Sequence, residues 1–166
     1  AQIINADKYL ESIEGNYFIN TKDFTFYTNV LINNPDYELV SDTVYYNTNT
    51  EVAKVKGPTL IYTEDNTLYC EKGIYDSKNK KSYLSKNLGV YYEEYIVFAD
   101  SAYHKQNPDY LEAYNNVIVI DTSNNIKAWS DYLEYDDEAN YAYISDKVVI
   151  RYIDKPKDKN QPNNNN

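Results

Sequence analysis

His104, Cys70 and the Asp and Glu residues are the side chains of this 166-residue chain that could carry acid, base, nucleophilic or metal chemistry. With one histidine, a histidine metal centre is ruled out, and a Ser-His-Asp relay would have to use His104 beside Lys105 and Gln106. His104 occupies the place that Tyr46 and Tyr135 hold in related segments, so it reads as a strand residue near a turn. Cys70 has no cysteine partner in the chain and reads as a small buried residue of a strand at Thr67–Cys70. The run Asp136-Asp137-Glu138 lacks the spacing and glycine of a calcium loop and reads as a hairpin turn. No phosphate-loop, dinucleotide, nucleophile-elbow or paired-cysteine motif occurs. A glycosidase-like pair is open to any chain this rich in carboxylates, but nothing here fixes its separation. The reading is therefore no enzyme, with no catalytic residue, metal or cofactor.

The elements that would position these groups are strands. Tyrosine and asparagine are abundant at 21 and 22 residues, and Gly and Pro are scarce at four and five. Tyrosine and β-branched residues suit a pleated surface and asparagine suits turns. A repeated pattern supports this. From Asp42 an alternating set follows at Ala53, Val55, Gly57, Thr59 and Ile61. At the same offset Asp131 leads to Ala142, Ile144, Asp146, Val148 and Ile150, and Asp100 to Leu111, Ala113, Asn115, Val117 and Val119. Looser copies carry Asp7 with Phe24, Phe26, Thr28, Val30 and Ile32, and Asp76 with Leu84, Lys86, Leu88 and Val90. The aspartates are unevenly spaced, which predicts hairpins of varying turn length rather than a fixed period.

Period-two alternation places each set on one side of its strand, apolar except at Thr28, Gly57, Lys86, Asn115 or Asp146. A small or polar residue in mid-strand marks a bulge or bend, so the sheet is expected to fold over along one line with apolar residues inside. At least ten antiparallel strands are expected, including the segments Asp109–Tyr114 and Ala6–Ser12. The repeated aspartates are expected to accept backbone N–H bonds where strands begin. Tyr27, Tyr62, Tyr114, Tyr141 and Tyr143 fall on the outer side.

Bulk properties narrow the partners. A formal charge of −10 argues against nucleic acid and against anionic membrane surfaces. The basic stretch Lys78-Asn79-Lys80-Lys81 reads as a solvated turn. No apolar run is long enough for a transmembrane helix. The start at Ala1-Gln2 fits a mature chain left by signal cleavage as well as an arbitrary boundary. The expected division is an ordered domain over 1–154 and a polar, disordered tail over 155–166.

The segment pattern resembles the OstA-like/LptA family of periplasmic lipopolysaccharide-transport proteins. The residues that carry the resemblance are Ala6-Asp7, Ser41-Asp42, Ala99-Asp100 and Ser130-Asp131. With them go the steps Thr28-Asn29-Val30, Gly57-Pro58-Thr59, Asn115-Asn116-Val117 and Asp146-Lys147-Val148, and the segment Gly73-Ile74-Tyr75-Asp76. Only Gly57 keeps the glycine of the step. The resemblance implies an antiparallel β-jellyroll, a V-shaped, twisted half-barrel of repeated hairpins located in the periplasm. It implies an apolar groove for the acyl chains of lipid A, and edge strands that pair with neighbouring jellyroll domains or with a second copy. Expected groove residues are Phe26, Val30, Ile32, Val44, Val55, Ile61, Val117, Val119, Ile144, Val148 and Ile150. Two other readings stay open: an edge-pairing module without lipid, whose expected edges are the first strand, around Ala6–Leu10, and the last, Val148–Ile153, and a glycan-binding β-sandwich using the outer tyrosines.

Overall fold

The computed structural model describes residues 2–5, 8–35, 37–64 and 66–153, which form thirteen strands and no helix. In chain order these are β1 (Gln2–Asn5), β2 (Lys8–Glu11), β3 (Glu14–Phe18), β4 (Asp23–Asn34), β5 (Tyr37–Asn47), β6 (Val52–Tyr62) and β7 (Asn66–Asp76). Then follow β8 (Lys81–Tyr92), β9 (Tyr95–Lys105), β10 (Tyr110–Asp121), β11 (Ile126–Asp136), β12 (Tyr141–Ser145) and β13 (Val149–Tyr152). They make one antiparallel sheet in the order β1-β2-β4-β5-β6-β7-β8-β9-β10-β11-β12, with β3 beside β4 and β13 beside β11. β2 and β3 thus share one strand position, broken near Ser12, and β12 and β13 share another, broken at Asp146-Lys147.

Every long strand is creased. The pairing register slips between Tyr27 and Val30 in β4, Lys56 and Thr59 in β6, Ser85 and Leu88 in β8, and Tyr114 and Val117 in β10. The residues inside these slips are the ones singled out in the sequence. Thr28, Gly57, Lys86, Asn115 and Asp146 all have positive φ, from 61° to 90°. Four of them are followed by a second left-handed residue: Asn29, Asn87, Asn116 and Lys147. Pro58 fixes φ near −65° and cannot join such a pair, so Gly57 bends alone at φ 90°. Asparagine and aspartate tolerate the left-handed region; Thr28 and Lys86 pay more for it.

Two expectations are corrected here. Thr28, Gly57, Lys86 and Asn115 are equally spaced along the chain, so the unit does have a regular period through its first four copies. The aspartates misled because they are not strand starts. Asp42, Asp100 and Asp131 lie in mid-strand, each after the small buried residue at the inside of the crease: Ser41, Ala99 and Ser130. The member of that series between Ser41-Asp42 and Ala99-Asp100 is Cys70-Glu71; Asp76 instead ends β7 and accepts the Asn79 N–H at 3.0 Å in the turn. Asp7 lies outside the described residues. On the outside of the crease the carboxylates grip the bulge of the next strand: Asn87 donates to Glu71 (2.7 Å), Asn116 to Asp100 (2.9 Å), and Lys147 pairs with Asp131 (2.5 Å).

The crease divides the sheet into two leaves with their inner faces together. The first leaf has β1 and β13 as its edges, the second β3 and β12. Among the described residues no edge pairs with another, so the sheet is unclosed. The last strand is an edge as expected, but β2, holding the described part of Ala6–Leu10, is not: residues 2–5 form a strand that covers it. Other expectations hold. Asp137-Glu138 and Lys78–Lys80 are in turns, with Asp136 the last residue of β11 and Lys81 the first of β8; 110–114 is strand, and Cys70 is buried.

Candidate functional site: the apolar interior and its mouth

Because strand residues alternate, register decides which side chains share the interior. On the first leaf one inner row runs Leu10, Ile32, Leu39, Ile61, Leu68, and continues through Val90, Val97, Val119, Ala128 to Ile150. On the second leaf it runs from Phe26 through Val44, Val55 and Gly73 to Leu84, then Ala102, Ala113, Leu133 and Ile144. Both rows are apolar throughout.

Coverage then sorts the expected groove residues by depth. Phe26, Val30, Val44, Val55 and Val117 are buried, with Val30 fully enclosed at 0% exposure. Ile32, Ile61, Val119 and Ile144 are half-buried and pack on that core from the side of the opening. Ile150 faces inward opposite Ala128, yet it is 58% exposed because β13 is an edge. Val148 falls in the break between β12 and β13, outside the paired ladder, and is 43% exposed. The floor at the crease is thus filled by side chains, and the uncovered apolar surface is at the mouth and the β13 end.

The mouth is rimmed with aromatic rings. Tyr17, Phe24, Tyr46, Tyr75 and Tyr135 lie on the second leaf's rim, with Tyr37 and Tyr92 facing them from the first. Tyr37 and Tyr75 meet edge to face across the opening, ring centroids 6.5 Å apart. Tyr17 stacks on Phe24 at 4.3 Å. A tyrosine at such a boundary offers an apolar ring to the interior and a hydroxyl to water. His104 sits in the same rim row, its Nε2 2.5 Å from Asp109 Oδ1 at the adjoining turn. Ser82 lies opposite it on β8, and among the described residues no hydrogen bond joins the two side chains. Burial pushes the Cys70 thiol up to about 11, the environment of an inert thiol. Among the described residues no group of carboxylate, histidine and cysteine side chains could hold a metal ion.

The outer faces of the leaves differ, and this the sequence reading missed. On the second leaf the outer residues are largely polar or tyrosine: Lys54, Lys56, Lys72, Tyr83, Glu112 and Tyr143. On the first leaf Leu31, Val40, Leu60 and Tyr69 pair in succession, then Gly89, Phe98, Ile118, Trp129 and Val149. None of these belongs to the core. The signal was present in runs that do not alternate, Val117-Ile118-Val119-Ile120 and Ile96-Val97-Phe98: a strand apolar on both faces shows no period of two. Of the expected outward tyrosines, Tyr62, Tyr114, Tyr141 and Tyr143 are 37–53% exposed, and Tyr27 is half-buried.

Comparison with known proteins agrees with this architecture. The crystal structure of LptH from Pseudomonas aeruginosa, the LptA-homologous periplasmic component of the lipopolysaccharide transport device, is similar with a TM-score of 0.59 and 14% identity. The similarity covers 64% of this chain and 81% of that one, and identifies the fold as the LptA-like β-jellyroll. Comparison with curated proteins gives no match. A family model described as OstA-like protein matches residues 1–42 and 79–156; the stretch between continues the same creased sheet through the rest of β5 and β6–β7. The chain belongs to the OstA-like family.

Proposed function

We propose that the protein is a non-enzymatic periplasmic carrier that holds lipopolysaccharide by its lipid A acyl chains and passes it towards the outer membrane as one link of a bridge. Family membership and the LptH-like fold support a part in lipopolysaccharide transport. The observation that carries the cargo reading is the unclosed fold with half-covered apolar side chains along its mouth. Acyl chains lie there on Ile32, Ile61, Val119, Ile144 and Ile150. Phe26, Val30, Val44, Val55 and Val117 form the floor beneath, and Val148 marks the exit beside β13. Half of a chain of about 12 carbons contributes about 5 kcal/mol at roughly 0.8 kcal/mol per methylene, enough for capture and weak enough for hand-over. With a charge of −10, the acyl chains and not the lipid phosphates supply the attraction. The open edges β1, β3, β12 and β13 are the surfaces through which neighbouring jellyroll domains add their strands.

Photo-crosslinkers at Ile61 and Ile144 test this against one at outward Tyr143. Lipopolysaccharide captured at the first two and not the third is the expected result; equal capture at all three overturns the cargo reading. A second reading rests on the filled floor and the Tyr37–Tyr75 contact: a module that joins others edge to edge and carries no lipid. Native mass spectrometry of protein purified from its own envelope, with oligomers present and lipid absent, favours it.

A further inference from the structure

We infer that the outer face of the first leaf is a face-to-face dimer interface that receives the same face of a second copy of this chain. The inference stands apart from the lipid reading, since it concerns the opposite side of the sheet. The paired row from Leu31 to Val149 crosses nine strands, about 40 Å at roughly 4.8 Å per strand. No charged side chain interrupts it. Tyr62, Tyr91, Ile96 and Ile120 extend it into a second row, in which Tyr62 and Tyr91 are each 39% exposed. A continuous apolar strip of this size exceeds the isolated apolar residues normal on a protein surface and marks an association site.

Charge selects the occupant. At one end of the strip stand Glu11 on β2 and Glu38 on β5. At the other, Lys127 and Arg151 stand directly opposite one another on β11 and β13, both close to the Trp129 ring at 4.9 and 5.6 Å. Like charges paired across strands repel, and neither is in an ion pair with a carboxylate among the described residues. A two-fold axis lying in the interface, parallel to the strands and between β7 and β8, brings the acidic end of each copy onto the basic end of the other. It places Glu11 and Arg151 at equal strand distances from the axis. Near the axis lie Tyr69 and Gly89, and there the Tyr91 ring covers the glycine, leaving a flat aromatic centre. The interface is isologous and closed, as two-fold contacts are, and its two sheets stack as in a sandwich.

Sedimentation of the full chain across a concentration series tests this, with three sets of variants. The wild type is expected to reach a dimer and stop there. Ile118→Glu, an outward change that leaves circular dichroism unaltered, is expected to weaken it about ten-fold or more. Lys127→Glu with Arg151→Glu weakens it too, and adding Glu11→Lys and Glu38→Lys restores it. Under mild oxidation Tyr69→Cys is expected to give a disulfide-linked dimer and Tyr83→Cys, on the other leaf, none; Cys70, 1% exposed, stays silent. A monomer at every concentration, or association unmoved by Ile118→Glu and therefore due to strand edges, overturns the inference. So does a monomer that floats with phosphatidylcholine vesicles and loses that binding on Ile118→Glu, which would assign the strip to lipid.

Discussion

The crease and the mouth of this sheet are built from the same residue types in the same register, yet they differ in what covers them. At the crease, Val30, Leu88 and Val117 are at most 1% exposed, and Ser41 Oγ meets Thr59 Oγ1 at 2.8 Å. At the mouth, Ile32, Ile61 and Val119 touch the core from one side only. In a V of two leaves, distance from the fold line alone decides whether an isoleucine is core or surface. The crease is therefore where stability is concentrated, and the mouth is where apolar surface is left for something else.

The largest expected effect tests that division directly. Leu88→Ala removes a side chain enclosed at 1% exposure and is expected to cost about 2–5 kcal/mol. Ile61→Ala at the mouth is expected to cost about 1 kcal/mol, since the Ile61 side chain is itself only half-buried. Urea denaturation with unchanged slope measures both. Equal costs would mean that the mouth is packed as tightly as the crease, and the groove would have no room for cargo.

A second test uses the crease's one thiol. Burial raises Cys70 to about 11 in the folded protein, above the ordinary thiol value near 9. Its folded-state value is raised, so its contribution is complete below pH 9 and is lost as pH climbs towards 11. The loss is of order 2–3 kcal/mol by linkage. Tyr110 and Tyr141, raised to about 12 (Tyr110 chiefly by desolvation, Tyr141 chiefly by its hydrogen bond to Glu134), add a further decline above pH 10. Stability measured from pH 8 to 11 in wild type and Cys70→Ala separates the two: the variant should fall less steeply than wild type between 9 and 10. A variant that falls as steeply as wild type would place the alkaline sensitivity in the tyrosines alone.

How much of this was legible in the residues follows from what each signal encodes. The bends were readable, because a polar or glycine residue that interrupts an apolar alternation is costly in a regular strand and cheap at a bulge, and all five such positions are left-handed. The inward-facing residues were readable as a face and not as a depth: Val44 and Ile61 look alike in the sequence, and only the closeness of the opposite leaf separates them. The aspartates misled because a carboxylate that grips a neighbouring strand's bulge and one that closes a turn have the same local sequence. Asp100 and Asp76 show the two cases. The apolar outer strip escaped notice because a scan for alternation assigns Val117 and Val119 inward and leaves Ile118 and Ile120 without a role.

The crease itself gives the next comparison. A β-carbon added at Gly57 would lie 2.7 Å from the Asp42 β-carbon, and φ of 90° is strained for any other residue. Gly57→Ala is therefore expected to cost about 1–3 kcal/mol.

Lys86 occupies the same bend two strands away with φ 64° and a full side chain. It is exposed, and its amine is in no ion pair among the described residues. A left-handed conformation costs a non-glycine residue about 1–2 kcal/mol. Removing that strain outweighs the extra unfolded-chain freedom of glycine, roughly 0.5–1 kcal/mol. Lys86→Gly is thus expected to stabilise by about 0.5–1 kcal/mol, the opposite sign to Gly57→Ala at the equivalent position. Thermal melts of the two variants beside wild type measure the pair. Destabilisation by Lys86→Gly would mean that the lysine's stem, and not its backbone, governs that bend, and that the creases differ in kind although they share a line.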